Sequence, residues 1–199
     1  MRTPSWPARR AIIVTGTPGT GKTTFSKKLA QEIGADYIPL THFVSKHKLY
    51  TSFDRERKSR VVNLARVQAS LRLLLSRARR LIIVDTHIPD GIITKDSVRL
   101  VFVLRCNPRI LEKRLSRKKW KTSKVRENVL AEMLDACLID AVKWYGWRRL
   151  VQLDTSHISA SKCVATAKRI LRHGVRRRIK IDWITTLGKE NSLARYLKW

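Results

Sequence analysis

Glycines, a lysine and hydroxyls at one fixed spacing carry the first chemical signal in this chain. Gly16-Thr17-Pro18-Gly19-Thr20-Gly21-Lys22-Thr23 fits G-x-x-x-x-G-K-[ST] at every fixed position. Glycines such as Gly19 and Gly21 let backbone N–H groups close around phosphate oxygens, and a helix that opens directly after them adds its positive end. Lys22 then reaches the β- and γ-phosphates of a nucleotide, and the Thr23 hydroxyl holds Mg²⁺. A second signal is Asp85-Thr86-His87. Asp85 follows the apolar run Leu81–Val84 and has the position of a carboxylate that binds Mg²⁺ directly or through water. His87, two residues on, faces the same side if the strand continues, where it could orient or deprotonate a water. The third signal is cationic. Between Arg105 and Arg126 ten basic residues face one acid, Glu112. Among them Arg105, Arg114, Arg117, Lys118, Lys119 and Lys121 are candidates to surround a transferring phosphoryl group. Trp120, inside that crowd, suits stacking on a base or packing of the segment on the core.

These groups need elements to hold them. Ala11-Ile12-Ile13-Val14 reads as a buried parallel strand, and Phe25, Leu29, Ala30 and Ile33 recur at helical spacing after the glycine loop. Further strand-like runs are Leu81–Asp85, Leu100–Leu104 and Leu150–Leu153, with a weaker one at Tyr37–Leu40. Helical patterns cover Lys22–Ile33, Val61–Arg77, Pro108–Arg117, Lys124–Tyr145 and Ala160–Leu171. Alternation of this kind predicts an α/β fold, a parallel five-stranded sheet with helices on both faces and ligands beyond the carboxyl ends of the strands. Two polar segments interrupt it, His42–Arg60 and Arg117–Lys124. They predict an acceptor-binding arm at about 37–60 and a lid at about 116–127. Residues 1–171 would form the core and 172–199 a basic C-terminal tail.

Composition narrows the class. The chain has 199 residues, 43 Lys plus Arg against 15 Asp plus Glu, and a formal net charge of +28. A compact domain so charged repels itself unless something anionic shares its surface, and nucleic acid is the commonest such partner. A nucleotide pocket explains local positive charge but not charge spread along the whole chain. Cys106, Cys137 and Cys163 fit no metal or redox spacing and read as buried small hydrophobes in a reducing compartment. The basic N-terminus lacks the apolar stretch of a signal peptide or anchor, so a soluble, cytoplasmic protein is expected, with no membrane partner. A GTPase is disfavoured, because Arg105-Cys106-Asn107-Pro108 occupies the place of a guanine-reading N-K-x-D.

With these residues in view, the chain resembles the adenylate kinase isoenzyme 6 family, the coilin-interacting nuclear ATPase and its yeast and archaeal ribosome-assembly relatives, most of all the archaeal branch. The resemblance runs from about Ala11 to Leu171 and extends to Ile181-Asp182-Trp183. It rests on the loop with its second threonine, Thr24; on Leu49-Tyr50, Phe53-Asp54 and Glu56 in the arm; on the D-x-H of Asp85-Thr86-His87; on Val103–Cys106 leading to Leu111–Leu115; and on Trp120 before Lys124–Val129 and Glu132. It implies a P-loop NTPase with an adenylate-kinase-like core, ATP and Mg²⁺ as cofactors, and nucleotide contacts at Gly19, Gly21, Lys22, Thr23 and Thr24. It implies weak adenylate kinase activity (ATP plus AMP to two ADP), an ATPase activity in which His87 acts, and a role in small-subunit maturation. The implied partners are AMP, a small-subunit ribosomal protein and small-subunit rRNA or pre-rRNA. The loop Asp154-Thr155-Ser156-His157 matches the adenine-side loop loosely and adds His157 as a nucleotide contact.

Departures from the family pattern are as informative. The lid's usual Arg-Gly-aromatic is Lys118-Lys119-Trp120, so Lys118 keeps charge but loses the planar fork, which Arg117 could replace. In the arm, Arg55, Arg57, Lys58 and Arg60 surround Asp54 and Glu56, and His42 and Asn63 replace acids. Two rival readings remain at this level. One is a metabolic nucleoside-monophosphate kinase without a ribosomal role. The other is an ATP-switched protein that binds rRNA or a ribosomal protein. Excess charge and D-x-H weigh against the first.

Overall fold

The computed structural model describes residues 9–54, 59–87, 89, 91–175 and 178–197. Arg55, Glu56, Arg57 and Lys58 of the expected arm, and Arg176 and Arg177 of the basic run, lie outside the described residues.

Five strands form one parallel sheet: β1 (Ala11–Thr15), β2 (Asp36–Pro39), β5 (Ile82–Asp85), β6 (Val98–Arg105) and β7 (Leu150–Asp154), in the order β2-β5-β1-β6-β7. The period-2 alternation of a strand divides the core in two. Ala11 and Ile13 of β1 point to one face, where α3 (Leu64–Arg77) and α6 (Ala136–Tyr145) bring Val67, Leu71, Leu138 and Ala141. Ile12 and Val14 point to the other, where α1 (Lys22–Ile33) and α7 (Ala160–His173) bring Phe25, Leu29, Cys163 and Val164. All five residues of β1 are buried, as a strand covered on both faces must be.

Three regions differ from the elements expected. The polar stretch after β2 folds into α2 (Leu40–Lys46) and an antiparallel hairpin, β3 (Tyr50–Asp54) with β4 (Ser59–Val62). Its strands are short and polar, so no apolar run announces them. The single helix expected at Lys124–Tyr145 is two, α5 (Thr122–Met133) and α6, because Asp135 takes a left-handed conformation at φ +58°. Periodicity cannot report a one-residue break that leaves both apolar stripes intact. Lastly, the expected lid comprises the last turn of α4 (Pro108–Arg117), the short link Lys118–Lys121 and the first half of α5, so it is a tight helical hairpin.

The end of the chain packs against that hairpin. Helix α8 (Trp183–Lys189) and helix α9 (Leu193–Leu197) supply Leu187 and Tyr196 to a third apolar cluster with Cys106, Leu111, Leu115, Val125, Val129 and Met133. The Tyr196 hydroxyl donates to Glu112 at 3.1 Å, and Arg195 pairs with the same carboxylate at 2.6 Å. No helix among the described residues is long and apolar enough to cross a membrane.

Candidate active site

Residues 16–21 connect the buried end of β1 to the first turn of α1, and close packing dictates their size. A Cβ on Gly16 would stand 2.3 Å from the Leu104 carbonyl oxygen, and one on Gly19 would stand 2.8 Å from the side chains of Leu111 and Leu115. Both glycines also have positive φ, +138° and +95°. Thus the loop is pressed against β6 and α4 and keeps its inner surface for backbone N–H groups. Lys22 stands at the start of α1 with its ammonium on the carbonyl oxygens of Gly16 (2.6 Å) and Thr17 (3.1 Å). Burial pulls its pKa below the ordinary lysine value, and the nearby Asp85 opposes that shift.

Parallel pairing of β1 with β5 brings Val14 level with Asp85, so the carboxylate emerges beside the loop. Asp85 is buried, and its Oδ2 accepts from the Thr23 hydroxyl at 2.9 Å and from the Tyr37 hydroxyl at 3.1 Å. A hydroxyl and a carboxylate adjoining at the mouth of a phosphate loop is the donor set that Mg²⁺ takes in P-loop proteins, a site of one carboxylate with phosphate and water completing the shell. The residues present therefore fit the ion. Tyr37 carries no signal in the sequence beyond a weak strand; only the β2–β5 pairing, with Tyr37 opposite Ile83, puts it within reach. Burial and the Asp85 charge push its phenol up to about 12, so it stays protonated and donates.

His87 lies just past the end of β5, and the strand that would have aligned it with Asp85 stops at Asp85. It still belongs to this neighbourhood. Although part of the residue is open to solvent, desolvation lowers its pKa first and the Lys22 charge second, which favours the neutral ring. The Cys137 thiol contacts the His87 carbonyl oxygen (3.8 Å) and the Thr17 hydroxyl (4.0 Å). Cys137 is thus a partly exposed residue beside the loop, whereas Cys106 and Cys163 are buried as expected.

The cationic candidates separate. Arg105 is 1% exposed, and four of its N–H bonds are taken: Glu132 Oε1 (2.8 Å), Glu132 O (3.1 Å), Gln152 Oε1 (2.9 Å) and Asp135. A guanidinium so enclosed has no face left for phosphate, so Arg105 is a structural cation and not a ligand. Arg114 donates to the carbonyl oxygens of Thr155 (2.7 Å) and Ser156 (3.3 Å) and so grips the loop after β7. That loop in turn touches the phosphate loop, with the Thr155 hydroxyl 2.9 Å from Thr20 O. Arg117, Lys118, Lys119 and Lys121 are exposed at the hairpin tip and have no ion pair among the described residues. Thr24 is exposed on the first turn of α1. His157 lines a cavity of ≈ 360 Å³ between the β7 loop and the tail, together with Asn107, Asp182 and Trp183.

Glu132 is the residue that sequence reasoning left without a role. Buried at 2% exposure, its Oε1 accepts from Arg105, from Cys106 N–H (3.0 Å) and from Trp183 Nε1 (2.9 Å), and its Oε2 accepts from the Thr17 hydroxyl (2.5 Å). One carboxylate therefore joins α5, the end of β6, the tail and the phosphate loop. The available hint was a carboxylate set among apolar neighbours, Leu130, Ala131, Met133 and Leu134.

Known proteins are similar to this chain in sequence and in fold. The AAA domain family matches residues 12–135, which hold the phosphate loop, Asp85 and Glu132. A Methanocaldococcus jannaschii protein named "Putative adenylate kinase" is 33% identical over 172 residues, 86% of this chain and 92% of that protein. A Saccharolobus islandicus protein of the same name is 36% identical over 151 residues, 76% of this chain and 78% of its own. In three dimensions the chain is similar to a shikimate kinase from Acinetobacter baumannii, with TM-score 0.57 at 17% identity over 85% of this chain and 96% of the other, a likeness of fold.

Proposed function

Because the chain belongs to the AAA domain family and to the archaeal family of these adenylate kinase relatives, we propose that it transfers the γ-phosphoryl group of ATP to AMP. We further propose that it hydrolyses ATP and serves in maturing the small ribosomal subunit. The carrying observation is the Lys22, Thr23 and Asp85 arrangement at the carboxyl end of the two central strands, with Thr23 and Asp85 2.9 Å apart.

Each residue has a task in this reading. The glycine loop wraps the phosphates with N–H groups. Lys22, held by two backbone carbonyls and in no ion pair among the described residues, exchanges those weak partners for phosphate oxygens. Thr23 and Asp85 would hold Mg²⁺, which when bound neutralises developing charge on the phosphates. Tyr37 donates to the same Asp85 oxygen as Thr23 and so holds the carboxylate in place. Arg117 and Lys118 approach from the hairpin tip, where their charge is uncommitted. AMP would enter beside α2 and the β3–β4 hairpin. When another ligand fills that side, water near His87 becomes the acceptor.

The ribosomal part rests on charge. A net charge of +28 exceeds what two nucleotides need, and the free cations at the hairpin tip give RNA phosphates a place to bind. The deciding experiment is ADP formation by the pure protein, with and without AMP and with and without small-subunit rRNA. Turnover that rRNA or a ribosomal protein alters supports an assembly ATPase. Fast, AMP-dependent turnover indifferent to RNA would leave a metabolic kinase.

A further inference from the structure

On the side of the sheet away from α1, α6 turns an apolar stripe to solvent. Ile139 and Trp147 are 59% and 53% exposed. With Leu138 and Val142 they line a groove of ≈ 480 Å³, whose other wall is Lys180-Ile181 of the tail. Ile179, 61% exposed, extends the apolar rim. Apolar surface gathered in a concave strip and rimmed by polar groups is a mark of an interaction site. Helix α6, Ala136–Tyr145, spans about 15 Å at 1.5 Å per residue, room for two to three turns of a partner helix, and Trp147 stands just past its end.

Charge selects the occupant. Lys143 and Lys180 flank the groove, and neither has an ion pair among the described residues. Arg178, bonded to the Arg148 carbonyl oxygen at 2.8 Å, adds a cation at the Trp147 end. A second copy of the chain would bring another +28 and be repelled. RNA would gain at the lysines but would have to desolvate phosphates over an apolar strip. A helix with apolar anchors on one face and carboxylates beside them satisfies both parts.

The floor of the groove leads to the phosphate loop. Asp135 and Gln152 line it, and both bond Arg105. Arg105 bonds Glu132, and Glu132 bonds Thr17 of the loop. The tail wall continues two residues on to Trp183, which bonds Glu132 from the other side. Every link is buried or half-buried, where hydrogen bonds polarise one another and are screened little.

We propose that this groove docks an acidic amphipathic helix of a partner protein, and that its occupancy is coupled to the phosphate loop through Arg105 and Glu132. The docking stands apart from the kinase reading; the coupling rests on it.

The test uses a dye-labelled 14-residue peptide with leucines at i, i+3, i+4, i+7 and i+11 and glutamates elsewhere, against a scrambled peptide of the same composition. The patterned peptide is expected to bind at least tenfold more tightly. Ile139→Glu, an exposed position outside the hydrogen-bond chain from Arg105 to Thr17, is expected to erase that difference while ADP affinity stays within twofold. Saturating peptide is expected to shift ADP affinity at least threefold, and ADP to shift peptide affinity by the same factor. Equal binding of both peptides, or preference kept by Ile139→Glu, overturns the docking. So does displacement of the peptide by a uridine 12-mer, which gives the groove to RNA, or dimerisation that Ile139→Glu abolishes, which gives it to a second copy. Peptide binding with unchanged ADP affinity overturns the coupling. Failure of the unmodified protein to bind ADP overturns the nucleotide reading of the loop, and the peptide pair still decides the docking.

Discussion

The tip of the α4–α5 hairpin and its base carry the same kind of residue with opposite consequences. At the tip, Arg117, Lys118, Lys119 and Lys121 stand in water without ion pairs among the described residues. At the base, Arg105 is closed in by Glu132, Gln152 and Asp135. A guanidinium at the tip is free to meet phosphate; at the base it organises the protein. Cationic residues crowded in sequence therefore do not share a role, and burial with partners decides between catalysis and architecture.

The largest effect that sharpens the contrast comes from the loop. Lys22→Ala is expected to lower AMP-dependent ADP formation by at least about 100-fold, the scale of losing one preorganised charge contact, with little change in the urea midpoint. The base of the hairpin should respond the other way. Glu132→Ala leaves a buried guanidinium without its main partner and is expected to cost about 3–5 kcal/mol in urea unfolding. Arg117→Ala, at the tip, is expected to change stability by less than about 0.5 kcal/mol yet weaken ATP binding. Equal stability losses at Glu132 and Arg117 would mean that burial does not separate the two ends of the hairpin.

Smaller effects follow at the edges of the site. His87→Ala is expected to abolish hydrolysis while part of the transfer to AMP survives; equal loss of both activities would remove its separate role. Tyr37→Phe deletes one of two hydroxyls on Asp85 Oδ2 and is expected to raise the Mg²⁺ concentration for half-maximal turnover a few-fold. Smallest is the pH response of the tail. Asp182 caps α8 by accepting from Thr185 N–H at 2.9 Å, which holds its carboxyl below the ordinary value. A depressed folded-state pKa means that the cap stabilises above the unfolded value of 3.8 and is lost as pH falls through the folded one. Acid titration of unfolding should show that contribution vanish in Asp182→Ala.

RNA affinity gives a further measure of the tip. Replacing Lys118, Lys119 and Lys121 by Glu is expected to flatten the salt dependence of RNA binding. Cutting the chain after Leu171 would be a poor substitute, because it strips Trp183, Leu187 and Tyr196 from the hairpin they cover.

Local rules and period were enough for much of this protein. The glycine loop, the strands on either side of it and the limits of α1 and α4 follow from residues a few positions apart. So does Asp85, delivered to the sheet edge by the apolar run before it. The hairpin β3–β4 was hidden because its strands are short and show no apolar alternation in sequence, and the break at Asp135 because one left-handed residue leaves the apolar pattern unchanged. The reach of Tyr37 to Asp85 needed strand order, since parallel neighbours are not neighbours in sequence. Glu132 needed still more. Its four partners come from residues 17, 105, 106 and 183, and only the packed fold brings them to one carboxylate. The sequence determined by itself that a phosphate loop would form on a parallel sheet, because those features are local. Tertiary structure decided which charges face the loop and which brace it, because desolvation and pairing arise only when distant segments meet.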